Sequence, residues 1–424
     1  MAALKAIVSF SLLVGGLGGP VCHKKWDFKP VRNPDYPPDA VDKLLDATIP
    51  KVKAWMAKRA GQTNNCTLEN AAVRREWTDL SPDERKEYIR AVLCLQSLPS
   101  KAPKDQVPGA RSRFDDFVAT HMILAPMLHS PTHLFAAHRY FVWAYEQALR
   151  EECGYTGYQP YMNYERYAAD PIHSPLFDGS DTSLGGNGAP ADYPGIPQAY
   201  PEPYNLIPSA GAGGCVTSGP FKDMLVTLGP VATVLHDVPP NPRVDGLGYN
   251  PRCLRRDLNA RAAAGARANY TYSAIVDHHD IDSFYLRYMG HPQLEGDPNP
   301  WGIHTSGHYI SGGDPGGDFF ASPGDPAFYF HHAMLDRVWW LWQMQDPKHR
   351  IDAIPSSDIV IPIPDLTLPG QKLMMMIKKR QEGNNNTNIA EEVVDLGWTA
   401  PPAKLGDLNE QLGGLGGQFC YIYA

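Results

Sequence analysis

Two groups of histidines, one in the first third of the chain and one in the last, constrain the fold more than any other feature of this sequence. The six residues are His121, His129, His138, His304, His308 and His332. Neutral imidazole binds copper, zinc and iron well, and three imidazoles leave coordination positions open on a metal ion. The chain is therefore expected to bring the two groups face to face, as a dinuclear metal centre with space for a small molecule.

The second group is predicted to lie on two helices. His304 and His308 are four residues apart, so on a helix they stand on one face and can share one ion. A further helix is predicted to begin at Asp325-Pro326, because an acidic residue and a proline both suit the first turn of a helix. This helix would supply the third ligand.

Two adjacent histidines, His331 and His332, lie on that second predicted helix. Neighbouring residues of a helix point about 100° apart, so only one of the two is expected to reach the metal. We assign His332, because Asp336 lies four residues later on the same face, where a carboxylate can orient a metal-binding imidazole. His331 is expected to lie just outside the ligand set and to bond to nearby backbone.

The first group is predicted to lie on a helix, a loop and a second helix. Apolar periodicity predicts a helix from Ala110 to Leu124 that carries His121, and Pro126 is expected to end it. The break would allow His129 to return on a loop. His138 is placed at the start of the next helix.

The motifs around these histidines resemble those of the type 3 copper proteins, the family of tyrosinases, catechol oxidases and hemocyanins. The resemblance rests on the run 129–141, on the pair His304 and His308, and on the run 325–337. Within the family the chain is similar to the short secreted fungal tyrosinase-like enzymes, whose N-terminal pattern is seen in residues 73–95. The similarity covers roughly residues 66–345 and returns at the C-terminal tail.

The resemblance implies a mainly α-helical fold, in which a four-helix-bundle core holds a dinuclear copper site wrapped by long irregular loops and a few short β-strands. The implied ligands are His121, His129 and His138 for the first copper ion, and His304, His308 and His332 for the second. Phe328 matches the phenylalanine that packs over the second copper in this family. The implied co-substrate is O₂.

Some positions depart from the family pattern. Thr305 stands where monophenol-hydroxylating tyrosinases often carry an asparagine, although Glu295 resembles the glutamate that holds a water there. Met127 replaces a cysteine that forms a thioether to the second histidine of the first group in plant and long fungal enzymes. The family motif Pro-Tyr-Trp-Asp-Trp is replaced by Pro160-Tyr-Met-Asn-Tyr164. The candidate catalytic residues are Glu295, Thr305 and Phe328.

The implied activity is oxidation of ortho-diphenols to ortho-quinones, with O₂ reduced to water and with weaker ortho-hydroxylation of monophenols. Small phenolic molecules are the expected substrates. A full tyrosinase, an ortho-aminophenol oxidase and a hemocyanin-like O₂ binder are the alternatives within the family. A dizinc or di-iron hydrolase is disfavoured, because such sites usually include bridging carboxylates and both groups here consist of imidazoles.

Composition agrees with a large folded enzyme domain. The 424 residues are 43% hydrophobic, enough to bury a sizeable core. The 40 prolines and 38 glycines predict long irregular connections, above all in residues 154–220 and 356–414. The formal net charge of −8, with no basic patch to offset it, argues against a nucleic-acid partner.

The N-terminus predicts export. Residues 1–19 are interpreted as a signal peptide, residues 20–64 as an N-terminal extension and residues 65–424 as the catalytic domain. The apolar run of the signal is too short to span a membrane, so we expect a secreted protein, a monomer or a weak homo-oligomer. Glycosylation is favoured by three sequons, at Asn65, Asn269 and Asn385.

Cysteines and the C-terminal tail add two expectations. Seven cysteines would meet an oxidising compartment, in which disulfides are the default; one is left over, most simply Cys22, and the pairing of the others stays open. Only Ala424 follows Tyr423, whereas a covering domain follows a tyrosine motif of this kind in longer relatives. We therefore expect no C-terminal covering domain, with Tyr421 and Tyr423 in a closing β-strand.

Overall fold

A computed structural model describes residues 28–59, 61–62, 65–198, 205–233, 235, 237–290, 301–359 and 388–424. Within these residues the α-helices are α1 (Ala40–Lys58), α2 (Pro82–Ser97), α3 (Arg113–Leu128), α4 (Leu134–Cys153), α5 (Tyr164–Tyr167), α6 (Ala260–Ala264), α7 (Ala268–Asp277), α8 (Ile281–Met289), α9 (Gly302–Ser311), α10 (Ala327–Gln345) and α11 (Pro347–Arg350). Short 3-10 helices lie at Trp77–Asp79, Ser322–Gly324, Ile389–Glu391, Leu405–Leu408 and Leu415–Gly417. In this part of the chain no helix combines the length and the apolar character that crossing a membrane requires.

The strands are few and short, so the predicted mainly α-helical fold is confirmed. They are β1 (Ala72–Arg74), β2 (Gly195–Pro197), β3 (Leu206–Pro208), β4 (Leu225–Val226), β5 (Arg252–Cys253), β6 (Val393–Val394), β7 (Ala403–Lys404) and β8 (Tyr421–Tyr423). Strands β2 and β3, β4 and β5, and β6 and β7 pair antiparallel. Strands β1 and β8 pair in parallel, with Ala72 opposite Tyr421. The predicted closing strand is therefore present, and it joins the C-terminal tail to the segment before α2.

Helix α10 lies at the centre of the molecule. Every residue of it except Gln345 is buried, which is typical of a helix surrounded by protein on all sides. It packs against α1, α4, α7 and α9. The six histidines lie on α3, α4, α9 and α10 or directly at the end of α3, so these four helices form the core that holds the site.

Helix α3 continues past its proline, and the prediction that Pro126 ends it is wrong. The helix runs to Leu128, and His129 is its C-cap residue. A proline removes one N–H donor and crowds one carbonyl of the preceding turn, but the amides after it can still bond, and that of His129 donates to the carbonyl of Ala125 at 3.0 Å. His129 is therefore held at a helix end rather than on a free loop.

Two helix starts also differ from the prediction. Helix α3 begins at Arg113 rather than at Ala110, because the side chain of Ser112 caps it in a capping box. Helix α4 begins at Leu134, so His138 lies in its second turn and not at its start. This shift puts the carbonyl of Leu134 within reach of the His138 ring.

Helix α10 begins where the sequence predicted, directly after Asp325-Pro326. Asp325 accepts a hydrogen bond from the amide of Ala327 at 2.9 Å. It also pairs with the buried Arg256, whose Nε and Nη2 donate to its two oxygens at 2.8 and 2.7 Å. Arg256 donates in addition to the carbonyl of Leu184 at 2.8 Å, and so ties the irregular segment 154–220 to the start of α10.

Three disulfides add cross-links among the described residues. They join Cys66 to Cys420, Cys94 to Cys153 and Cys215 to Cys253. The predicted use of disulfides is thus confirmed for six of the seven cysteines, and Cys22 lies outside the described residues.

Helix α1 lies within the stretch that the sequence analysis assigned to an N-terminal extension. Its residues Val41, Leu45 and Val52 are buried. Its buried Asp42 accepts a hydrogen bond from Arg337 of α10 at 2.8 Å. The helix therefore contributes to the packing around α10.

Candidate metal centre

The first group consists of His121 on α3, His129 at the end of α3 and His138 on α4. The ring centroids of His121 and His129 are 5.2 Å apart, those of His129 and His138 4.9 Å, and those of His121 and His138 5.8 Å. One ligand atom of each ring lies within 4.8 Å of the others, so the three can hold one metal ion.

A backbone carbonyl orients each ring of the first group. The Nδ1 atom of His121 donates to the carbonyl of Phe320 at 2.7 Å, that of His129 to Ala125 at 2.6 Å, and that of His138 to Leu134 at 2.9 Å. Because a carbonyl only accepts, the proton of each ring must be on Nδ1, and the Nε2 lone pair is free for a metal. The Nε2 atoms of His121 and His138 have no hydrogen-bond partner among the described residues, as expected of metal ligands.

The second group contains His304 and His308 on α9 and His332 on α10. The Nε2 atoms of His308 and His332 are 3.2 Å apart. Two nitrogen ligands of a tetrahedral ion, each about 2.0–2.1 Å from the metal, lie about 3.3 Å apart. The Nε2 atom of His304 is buried, with no partner in the described part of the chain. This arrangement fits three imidazoles that converge on one ion.

The two groups face each other. The rings of His138 and His332 are stacked at 4.4 Å, and His129 and His304 are 5.9 Å apart. The ring of Phe328 lies 4.1 Å from that of His332. It also lies 5.2 Å from the ring of His121, so it borders both groups.

Burial keeps these imidazoles neutral. It lowers the pKa of His121 to about 3, with a smaller contribution from His129, and it lowers the pKa of His129 to about 4. Burial is also the main cause that places four further pKa values well below the ordinary range, those of His138, His304, His308 and His332. Metal ligation requires neutral imidazole, so the rings are in the right state at neutral pH.

His331 stands beside the second group, and the metal-capable cluster includes it. The prediction that it bonds to nearby backbone is confirmed, because it forms a hydrogen bond with the backbone of His304. Its Nδ1 also lies 2.7 Å from the hydroxyl of Tyr164. Sequence reasoning missed Tyr164 in this role. The altered aromatic motif 160–164 was the available signal, but it was interpreted only as a departure from the family.

The prediction that Asp336 orients His332 is wrong. The carboxylate accepts hydrogen bonds from Arg139 at 2.6 Å, from Tyr421 at 2.8 Å and from Tyr423 at 2.7 Å. A second guanidinium, that of Arg74, lies 3.5 Å away. Two guanidiniums and two phenols therefore surround the carboxylate, and it faces the C-terminal strand instead of the imidazole one turn before it.

The candidate residue Thr305 lies beside the second group. Thr305 is half-buried next to His304, and its hydroxyl donates to the carbonyl of Met289 at 3.4 Å. The ring of Phe319, which the sequence analysis did not select, lies 4.3 Å from that of His129. Glu295 lies outside the described residues.

Two pockets built from histidine alone, side by side in a helical core, define the class of type 3 copper proteins. Among the described residues, neither metal-capable group contains a carboxylate or a thiolate, and imidazole is a ligand that suits copper. The free Nε2 atoms show that the residues fit such a centre.

Comparison with known proteins gives the family. Residues 111–345 match the family model "Common central domain of tyrosinase". The chain is 45% identical over 318 residues to the tyrosinase-like protein orsC of Emericella nidulans, covering 72% of this chain and 82% of that protein. It is 36% identical over 389 residues to the N-acetyl-6-hydroxytryptophan oxidase ivoB of the same organism, covering 89% of this chain and 99% of that protein.

A solved structure supports the same family assignment. A variant of the polyphenol oxidase from Thermothelomyces thermophila superimposes with a TM-score of 0.75 at 38% identity, covering 90% of this chain and 97% of that one. The chain belongs to the tyrosinase family and is an oxidoreductase of the tyrosinase type. The family implies a dinuclear copper centre, and the two histidine groups fit it.

Proposed function

We propose that this protein oxidises ortho-diphenols to ortho-quinones, with O₂ as co-substrate reduced to water. The observation that carries the proposal is the pair of facing pockets in which imidazole nitrogens converge without a carboxylate. The proposed ligands are His121, His129 and His138 for one copper ion, and His304, His308 and His332 for the other. The relatives named as an oxidase of a hydroxylated tryptophan and as a polyphenol oxidase support a small hydroxylated aromatic ring as substrate.

The protein's own groups have three tasks in this reaction. The imidazoles hold the metal ions, and their fixed Nδ1 bonds prevent the rings from rotating away. The rings of Phe319 and Phe328 flank the pockets and exclude water. Copper, when bound, supplies the exchange of electrons between the diphenol and O₂. Two diphenol molecules give up four electrons and four protons, and one O₂ takes them up as two molecules of water.

The decisive experiment is copper loading of purified protein followed by a turnover assay with a simple catechol. Wild type should hold two copper ions per chain and consume O₂ as quinone forms. His304→Ala and His138→Ala should each lose copper and all turnover. His133→Ala is the matched control, because His133 is a buried histidine near the first group that contacts Glu392 at 3.1 Å instead of the metal pocket. Wild type that holds two copper ions and binds O₂ reversibly without turnover would replace the oxidase by an O₂ carrier.

We further propose that monophenol hydroxylation is slow relative to diphenol oxidation. Thr305 directs its hydroxyl at the Met289 carbonyl, and so offers a substrate-bound water little help. The longer carboxamide of Thr305→Asn has both a donor and an acceptor, and should raise the ratio of monophenol to diphenol rates. Thr305→Val, which lacks the hydroxyl, should leave the ratio low. Equal ratios in all three proteins would remove Thr305 from the mechanism and favour a full tyrosinase or an ortho-aminophenol oxidase.

Export and glycosylation are proposed as well. The three disulfides support an oxidising compartment, and Asn65 and Asn269 are exposed, as carriers of N-glycans must be. Residues 1–19 and Asn385 lie outside the described residues. Expression of the full chain in a fungal host should deliver protein into the medium whose mass falls on enzymatic deglycosylation. Retention inside the cells, or an unchanged mass, would contradict the respective proposal.

A further inference from the structure

Asp318 is a buried carboxylate that the proposed reaction does not use. It is 1% exposed, and it accepts hydrogen bonds from backbone amides of two segments of the chain. One oxygen accepts from Phe320 at 2.9 Å and Ala321 at 3.3 Å, and the other from Val231 at 2.7 Å and Ala232 at 2.8 Å. A buried charge is costly unless such bonds compensate it. The carboxylate therefore joins residues 318–321 to the segment 229–232.

Residues 318–321 contain the peptide group that orients His121. The carbonyl of Phe320 accepts from Nδ1 of His121 at 2.7 Å, and the N–H of the same peptide group, that of Ala321, donates to Asp318. This peptide bond is trans, so its carbonyl and its N–H point in opposite directions in one plane. Asp318 holds one end of the plane, and His121 binds the other. The carboxylate thus helps to fix the direction in which the imidazole points.

The segment 229–232 lies beside the helix that carries His121. A methyl group built at Gly246 would meet the side chains of both Val231 and Met122, at 2.4 and 2.6 Å. Met122 directly follows His121 on α3. The segment and the helix therefore border the same space, and Asp318 connects this segment to the peptide group behind the imidazole.

Other bonds also hold the segment 229–232. The carbonyl of Gly229 accepts from Arg252 at 3.0 Å and from Asn250 at 3.2 Å. Arg252 is in turn paired with Asp314, with 3.0 Å between Nη2 and a carboxylate oxygen. Loss of the bonds to Asp318 should therefore loosen the support of His121 while the segment stays attached to the domain.

We propose that Asp318 is a positioning residue for the first metal site, and that it ties the segment 229–232 to the peptide group that orients His121. The proposal deepens the proposed function and rests on it for the presence of copper. None of the four bonds of Asp318 goes to α9 or α10, which carry the second group. The effect is therefore expected at the first copper alone.

The test compares Asp318→Asn with Asp257→Asn in copper-loaded protein challenged with EDTA. A carboxamide has one oxygen and one NH₂ donor, so the tie between the two segments is broken whichever way the new side chain turns. Asp257 is the matched control, because it is a buried carboxylate that accepts from the amides of Ala210 and Ala212, at 3.0 and 3.1 Å, and from the hydroxyl of Tyr193. The first copper should leave Asp318→Asn about tenfold faster than wild type, and the second at the wild-type rate. Asp257→Asn should release both as wild type does.

Ligand variants identify the copper that leaves faster. His304→Ala keeps the first site, and adding Asp318→Asn to it should speed the release of the remaining copper about tenfold. His121→Ala keeps the second site, and adding Asp318→Asn to it should leave the release rate unchanged. Faster release in the His121→Ala background, or unchanged release in the His304→Ala background, would overturn the proposal.

Hydrogen exchange of the wild type tests the tie even if Asp318→Asn does not fold. Copper at His121 should steady the peptide group that binds this ring, and through Asp318 also the amides of the segment 229–232. Copper loading should therefore slow exchange in both 229–232 and 318–321, but not in residues 210–212, which Asp257 holds. An unchanged rate in 229–232, or equal slowing in all three segments, would contradict the tie. These readouts measure metal retention and exchange, so a wild type that retains copper but fails to oxidise diphenols refutes the proposed function alone.

Discussion

Replacement of Asp336 by asparagine should lower the stability of the whole domain, with no direct effect on the copper ligands. Asp336 is buried on α10, and its carboxylate receives the guanidinium of Arg139 and the hydroxyls of Tyr421 and Tyr423. Asp336→Asn keeps the shape but removes the negative charge, so the buried Arg139 loses its counter-ion. The hydroxyls of Tyr421 and Tyr423 on strand β8 lose a charged acceptor at the same time.

The magnitude follows from the burial of this pair. Removing one partner of a buried ion pair costs about 3–5 kcal/mol. An unfolding entropy of about 2.1 cal/mol/K per residue amounts to about 0.8 kcal/mol/K for a domain of roughly 400 residues. The ratio of the two predicts a fall in Tm of about 4–6 °C.

Calorimetry of the copper-free protein measures this shift. Asp346→Asn is the control, because Asp346 caps the same helix, is exposed, and pairs with the exposed His349; a surface pair is worth about 0–1 kcal/mol. A Tm of Asp336→Asn within about 1 °C of wild type would refute the reasoning. Normal melting combined with loss of copper would instead restore the hypothesis that Asp336 orients His332.

The buried histidines, one disulfide and one buried arginine each give a further measurable result. The pKa values of His121 and His129 lie at about 3 and 4, below the ordinary 6.5, so below pH 6.5 the unfolded chain binds more protons than the folded one. The free energy of unfolding is therefore highest above pH 6.5, and each ring should lower it by about 2 kcal/mol at pH 5. A copper-free protein that melts at one temperature from pH 7 to pH 5 would contradict this. Replacing Cys94 and Cys153 together by alanine releases a loop of 59 residues and should lower the free energy of unfolding by about 4 kcal/mol in urea titrations; a loss below about 1 kcal/mol would argue against it. Arg256→Ala should cost about 3–5 kcal/mol in the same assay, because it leaves a carboxylate unpaired under the start of α10, and an unchanged urea midpoint would count against that role.

Local patterns were sufficient for the helices that carry the second group. The spacing of His304 and His308 predicts a shared helical face, and both lie on α9. Asp325-Pro326 predicts a helix start, and α10 begins at the next residue. These predictions hold because they depend on the geometry of a single element, which the sequence of that element specifies.

Predictions from local sequence were wrong where the outcome depended on contacts with other parts of the chain. Pro126 removes one donor, but α3 tolerates the loss near its end because the amide of His129 still finds its carbonyl. Asp336 lies within reach of His332 along the helix, yet its carboxylate accepts hydrogen bonds from donors on other elements instead. The spacing of residues within one segment does not show whether a helix continues past a proline or which donors a buried carboxylate meets.

The sequence by itself determined which histidines come together and which metal chemistry they suit, because residue type fixes the ligand atoms and residue spacing fixes the helical face. Only the tertiary structure decided which nitrogen each ring presents. The carbonyl of Phe320 that turns His121 toward a metal lies 199 residues away along the chain. An imidazole has two nitrogens, and the partner that selects between them comes from whichever element packs against it.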